Sequence, residues 1–457
     1  MTTHETPFRQ PPAALAFEAD RWRGHLPALD GVRGLAIALV MFCHMLGKFA
    51  PTALAERGLV EVARAGWIGV DLFFVLSGFL ITGILLDARG APNYFRNFYI
   101  RRTLRIFPLY YAILIGVFVV APLVAGAAVQ HWFGNIADSE PWFWAYASNV
   151  RIAVAGNWSV TGALGHFWSL AVEEQFYLVW PAVVFLLSPR HLRRACLAIM
   201  IGALGLRFLI ALSDAPDLGA FVLMPARADT LAAGAWLAVA VRTGTAVDTI
   251  RRHARWLLAM SVAALVALFV WYRGLSEADF LTETIGFSFL AVGGAALLSL
   301  ALDRKHRPTA TGTMFRNSTL RMLGKYSYAM YCFHPLIQTL LRAAGVEPAM
   351  LPVVGGSVLP SILAYCVLVV ALTLAASWLS WNLFEKHFLA LKDRFTTARP
   401  SPATHTTYAP EKVVVIWATA ETRPATSTLT LPASASQPSR PTPADGEAQR
   451  AERREMS

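Results

Sequence analysis

The chain has 457 residues, of which 56% are hydrophobic and only 15% charged, and its mean hydropathy is +0.47. A soluble domain carries about 25% charged and about 45–50% apolar residues, so a water-soluble globular protein is excluded. Apolar blocks of about 20 residues, the length that crosses a hydrocarbon core of about 30 Å, make this a polytopic membrane protein. The formal charge of +11 reads as the Lys and Arg excess of cytoplasmic loops, not as a nucleic-acid surface.

In chain order, residues 1–27 are polar and charged (Arg9, Glu18, Asp20, Arg21, Arg23) and read as a cytoplasmic tail without a cleavable signal. Hydropathy windows then give ten candidate spans, near 31–48, 66–86, 106–128, 167–187, 195–212, 221–241, 256–271, 281–302, 323–341 and 358–383. Alternate loops are rich in arginine: Arg89, Arg96, Arg101, Arg102 and Arg105; then Arg190, Arg193 and Arg194; then Arg242, Arg251, Arg252 and Arg255; then Arg304, Lys305, Arg307, Arg316 and Arg321. The intervening loops are sparse in basic residues. The fold class expected is therefore an all-α bundle of about ten transmembrane helices with both termini cytoplasmic, in a bacterial inner membrane. The longest outer loop, 129–166, is aromatic (Trp132, Phe133, Trp142, Phe143, Trp144, Trp158) and could lie on the membrane or cover a site from outside. Residues 396–457 turn to Thr, Pro, Ala and Ser and read as a disordered tail. The cysteines Cys43, Cys196, Cys332 and Cys366 all fall in apolar segments, with neither metal-ligand nor disulfide spacing.

Ionisable residues within spans are costly and are therefore functional candidates. The first helix carries Asp30, Arg33 and His44. The latter two are eleven positions apart, close to three full turns, so they share a face about 16 Å apart along the axis. Asp71 in the second span, Glu173 and Glu174 in the fourth and His334 in the ninth reach a depth similar to that of His44. Two histidines and three carboxylates at one level suggest an acid–base cluster, in which a carboxylate would orient His44 as a general base. His44 satisfying a neighbouring helix through a hydrogen bond is the structural alternative. Arg102 and Arg105, one turn apart, could join Arg33 in clamping an anionic ligand such as nucleotide phosphates, or could be ordinary positive-inside charge. Ser77, Trp168 and Ser169 are further polar candidates, and Arg207, Arg227 and Asp229 are buried charges, with Arg227 and Asp229 either a structural pair or part of a site. No phosphate loop, serine-hydrolase elbow or zinc motif appears.

The stretches LPALDGVRGLAIALVMFCH, GVDLFFVLSGFLI, Arg102-x-x-Arg105, FWSLAVEEQFYLVWP, LGKYSYAMYCFHPL and FEKHFLALK together resemble, in order, the blocks of the acyltransferase 3 family of integral membrane O-acyltransferases. The resemblance spans about residues 26–395, within a membrane domain drawn at 28–395. It implies His44 as the catalytic histidine, and Arg33, Arg102 and Arg105 as residues needed for the donor. That donor is cytoplasmic acyl-CoA, usually acetyl-CoA, acting as co-substrate; no bound cofactor or metal is implied. The acceptor is a hydroxyl of an extracytoplasmic glycan or a small molecule. Asp71, Glu173 and Glu174 are assigned to catalysis with His44, and Asp30, Ser77, Trp168, Ser169 and His334 to substrate binding. A proton-coupled transporter or flippase is the alternative that buried His, Asp, Glu and Arg would also serve.

Overall fold

The structure, a computed structural model, describes residues 25–395 apart from 48, 50, 52–53, 127–132, 135, 214–217, 245–246, 303–308, 347–349 and 355–356. Most of the N-terminal tail, the whole C-terminal tail, Trp132 and the basic residues Arg304, Lys305 and Arg307 lie outside the described residues. Helices stand at all ten expected positions. They are α1 (Pro27–Leu46), α2 (Ile68–Asp87), α3 (Tyr94–Ile115), α4 (Trp168–Leu186), α5 (Pro189–Ala211), α6 (Met224–Arg242), α7 (Val247–Tyr272), α8 (Phe287–Ala301), α9 (Ser318–Ala343) and α10 (Leu359–Ser380). Among the described residues eight helical stretches are long and apolar enough to cross a membrane; α6 and α9 fall outside that set.

The helix ends differ from the hydropathy windows for physical reasons. The third helix begins at Tyr94, twelve residues before the expected 106, because the arginine-rich run into it is helical but not apolar. The sixth begins only at Met224. Leu223 is extended (φ −77°, ψ 133°) and Pro225 occupies the first turn, where a missing N–H costs nothing; Leu218–Val222 forms a separate short helix before it. Arg207, which interrupts the apolar run of α5, points inward and is fully buried.

Lipid tails give helices no hydrophobic reason to associate, so close approach of backbones carries the packing. Gly31 and Gly34 of α1 lie against the backbone of Phe315 and Leu320, and Gly324 of α9 against that of Asp30; a methyl group at any of the three would overlap main-chain atoms. Gly78 of α2 and Gly234 of α6 seat those helices on each other in the same way. These two contacts fix the centre of the bundle: 78% of the apolar window of α2 is buried, against 17% for α5 and for α7. The long segment between α3 and α4 folds into short helices, Glu140–Trp144 and Ser148–Ala155, and a 3₁₀ stretch, Ser159–Phe167, broken at Gly162. Phe143 and Phe167 are fully buried, so this segment packs onto the bundle as a cover.

Candidate active site

The α1–α9 contact brings His44 against His334. Their rings stack at 15° with centroids 5.0 Å apart, and His44 Nδ1 lies 2.7 Å from His334 Nε2. His334 Nδ1 lies 2.9 Å from the Met330 carbonyl, one turn earlier on the same helix. A carbonyl only accepts, so His334 Nδ1 carries the proton and its Nε2 the lone pair. His44 Nδ1 must then donate to it, which leaves the lone pair of a neutral His44 on Nε2. A histidine thus stands beside His44 where a carboxylate was expected. His166, from the outer segment, brings a third ring to within 5.6 Å of His334.

His44 opens onto a vestibule of about 830 Å³. Its walls include Trp67, Trp158, Trp168, Phe221 and Tyr272, and its rim Arg64, Arg273, Glu277 and Arg342. Burial, followed by the charge of Asp279, raises the Glu277 carboxyl above its ordinary value. The mixture of aromatic faces and hydrogen-bonding charges suits a polar organic ligand.

On the other side, Arg33, Arg102 and Arg105 line two contiguous cavities, one of about 100 Å³ and one of about 50 Å³. The smaller one also meets Arg101 and Lys392. Arg102 stands 5.0 Å over the Tyr177 ring, and Arg101 Nη1 donates to the carbonyls of Lys392 and Phe395 at 2.9 and 2.8 Å. All three arginines of this run thus reach a cavity, and Arg101 also ties the start of α3 to the end of the described chain.

The three carboxylates expected beside His44 go to three different places. Asp71 is fully buried and ion-paired with Arg227, whose guanidinium lies 3.9 Å from the Phe287 ring centroid. Asp229 pairs instead with Arg207 at 2.8 Å, so the expected Arg227–Asp229 pair is crossed. Glu173 lines the larger of the two arginine-lined cavities, close to Tyr177, Ser77, Arg102 and Arg33. Glu174 lies within electrostatic reach of Tyr110, Tyr111 and Tyr146 and is not among the residues lining these cavities. Depth along the helix was similar for all three, but the face on which each side chain leaves its helix differs.

The five residues assigned to substrate binding also divide. Asp30 takes His25 at 2.5 Å and Arg33 at 3.6 Å, at the start of α1 and far from His44. Ser77 hydrogen-bonds Tyr177 in the inner cavity. Trp168 packs on Phe221 at 4.7 Å and lines the vestibule. Ser169 meets Tyr331 at 2.6 Å, and His334 is the partner of His44. Sequence reasoning did not single out Tyr331, His166 or Tyr177. Tyr331 lies three residues before His334 and could have been found by asking what shares its helix face. Among the described residues no group of three or more His, Cys, Asp or Glu could hold a metal ion.

A family model described as an acyltransferase domain, that of acyltransferase 3, matches residues 26–381. The chain is 26% identical over 331 residues to peptidoglycan O-acetyltransferase OatA of Listeria monocytogenes, covering 70% of this chain and 50% of that protein. It is 28% identical over 336 residues to putative peptidoglycan O-acetyltransferase YrhL of Bacillus subtilis, covering 68% and 48%. O-acetyltransferase OatA of Staphylococcus aureus is 25% identical over 325 residues, with 68% and 51% covered. The chain thus spans about half the length of the curated relatives it matches. No solved structure matches it.

Proposed function

This chain belongs to the acyltransferase 3 family, and on that premise we propose that it is a membrane O-acyltransferase. In this reading it moves an acetyl group from cytoplasmic acetyl-CoA to a hydroxyl of an extracytoplasmic glycan. The arginine-rich mouth is cytoplasmic, as are both termini, and the protein sits in a bacterial inner membrane. The observation that carries the reading is the series of spaces: an arginine-lined mouth, an inner cavity and a vestibule with a histidine base. Glycan as acceptor class is supported by the printed names of the relatives, two of which specify peptidoglycan, and by the aromatic and charged vestibule.

The chemistry follows from the residues. Arg33, Arg102 and Arg105 bind the phosphates of the donor, for which guanidinium forks are well matched, and the thioester arm reaches along the inner cavity. His44 Nε2 takes the proton of the acceptor hydroxyl. The positive charge that appears on the ring is shared with neutral His334 through the Nδ1–H bond. The oxygen attacks the thioester carbonyl, the C–S bond breaks, and the thiolate recovers the proton from His44. Asp71, assigned to catalysis from the sequence, here acts only by holding α2 to α6 through Arg227. Glu173 belongs to the donor side.

The test uses membranes carrying the wild type or His44→Ala in equal amount, supplied with acetyl-labelled CoA and an envelope glycan fraction. Label should enter glycan, and free thiol should appear, with the wild type only. Transfer that survives His44→Ala would remove the histidine from the reaction, and a wild type that neither transfers label nor releases thiol would favour a carrier.

A further inference from the structure

The inner cavity and the vestibule meet at two side chains. Of the residues that line each, Val70 and Tyr331 are the ones that line both. If a thioester enters by one space and a hydroxyl by the other, the carbon under attack must sit where the spaces meet, whatever the pose of the rest of either substrate. Val70 brings no polar atom to that point, and Tyr331 brings a hydroxyl. We infer that Tyr331 is a catalytic residue whose hydroxyl hydrogen-bonds the thioester oxygen as negative charge develops on it, an inference that rests on the acyl-transfer reading above.

The local structure equips Tyr331 for this. It precedes His334 by three positions on α9, so the two side chains leave one face of the helix, with ring centroids 5.9 Å apart. The base relay and the oxyanion donor therefore come from one helical turn and hold their spacing together. The phenol is 6% exposed, and its oxygen lies 2.7 Å from the His166 carbonyl and 2.6 Å from Ser169 Oγ. The carbonyl can only accept, and Tyr331 at 2.7 Å is a much closer donor to it than Ser169 at 3.4 Å, which leaves Ser169 to donate to Tyr331. A hydroxyl that is itself receiving a hydrogen bond is a stronger donor. At rest Tyr331 thus already donates to a carbonyl oxygen, the functional group that the thioester would present. When the substrate oxygen takes that proton contact, Ser169 Oγ, 3.4 Å from the His166 carbonyl, can turn to it, and the freed carbonyl keeps a donor.

In the step itself, the acceptor O–H proton passes to His44 Nε2 and a C–O bond forms to the thioester carbon. The carbonyl π electrons move to its oxygen, where Tyr331 donates. They return as the C–S bond breaks, and the CoA sulfur takes the proton from His44. Tyr331 ends as it began, and the products are an ester and a thiol.

Tyr331→Phe keeps the ring that separates the two spaces and removes only the hydroxyl. With purified protein in nanodiscs, acetyl transfer would be measured for kcat and KM, CoA affinity by direct binding, and folding by thermal melting. Loss of one oxyanion donor lowers kcat by about 10²–10³-fold in well-characterised cases. That loss is expected here, with KM for acetyl-CoA, CoA affinity and melting temperature unchanged, as befits an interaction made only in the transition state. Ser169→Ala, which withdraws the supporting donor alone, should lower kcat by a smaller factor. A Tyr331→Phe protein with wild-type kcat would overturn the inference, as would a kcat loss matched by an equal loss of CoA affinity or stability. A wild type that transfers no acetyl group would overturn the acyl-transfer reading, and the inference with it.

Discussion

The histidine pair makes a prediction whose size can be worked from its geometry. His334→Leu leaves the base His44 in place but removes the acceptor of its Nδ1–H at 2.7 Å. In the resting enzyme that bond joins two neutral rings. Once His44 holds the acceptor proton it joins a cation to a neutral acceptor, and hydrogen bonds to charged groups are worth about 1.5–3 kcal/mol. With about 1.4 kcal/mol for each tenfold change in rate, kcat should fall about 10- to 150-fold if the whole contribution is lost. His334→Gln offers an amide oxygen as acceptor in place of Nε2 and should retain more activity than His334→Leu. The assay is initial-rate transfer of labelled acetyl into the glycan fraction at saturating donor, with protein amount and melting temperature checked for each variant. Equal rates for the Leu and Gln variants, or a Leu variant as fast as wild type, would refute the relay. A loss in KM alone would refute it too, since His334 would then be acting as a binding residue.

Three further outcomes are expected. Gly34→Ala places a methyl group into the Leu320 backbone, so α1 and α9 must part; overpacking of this kind costs about 1–3 kcal/mol, measurable as a lower melting temperature in detergent, whereas Gly202→Ala meets nothing within 4 Å and should melt like wild type. Asp71→Ala leaves buried Arg227 without its counter-ion and should cost about 3–5 kcal/mol, while the double variant Asp71→Leu/Arg227→Met should recover much of it, since replacing a whole buried pair is often neutral; a double variant no more stable than the single would show that the pair is not the reason. Arg102→Ala should raise KM for acetyl-CoA by about tenfold or more with little change in kcat, the signature of lost ground-state binding, and substrate titration would decide it.

The architecture was legible because the bilayer imposes a simple rule: each span needs a run of apolar residues, and the loops carry the charge that sorts them. That rule located α1, α2, α4, α8 and α10 closely. It placed the start of α3 too late, since Arg101, Arg102 and Arg105 are helical but not apolar. The proximity of His44 and His334 was also within reach, because depth in a membrane follows from residue count at about 1.5 Å per residue. Azimuth did not follow in the same way. Whether Asp71, Glu173 and Glu174 face one point depends on which helices touch and how each is rotated, and that is set by contacts such as Gly34 on Leu320 and Gly234 on Val75. A glycine pattern marks a close approach but does not name the partner. The same blindness hid Tyr331, whose importance lies in bordering two spaces at once.

The partition of the buried charges has a physical logic of its own. An ion taken into a low-dielectric interior must be paired or it will neutralise itself. Arg207 and Arg227 are both fully buried, and each holds one carboxylate, Asp229 and Asp71. A carboxylate shared with an arginine is a poor aid to a base, because its charge is already spent on the cation. Setting a further unpaired carboxylate beside His44 would require another counter-ion at the same depth. In the proposed reaction His334 avoids that demand: the Met330 carbonyl fixes its tautomer, and it would bear part of the charge only while His44 holds the acceptor proton. On that reading a histidine relay orients the base at less cost than a further buried carboxylate would. Asp71 and Arg227 are freed for the structural task of holding α2, and with it Val70, at the junction of the two spaces.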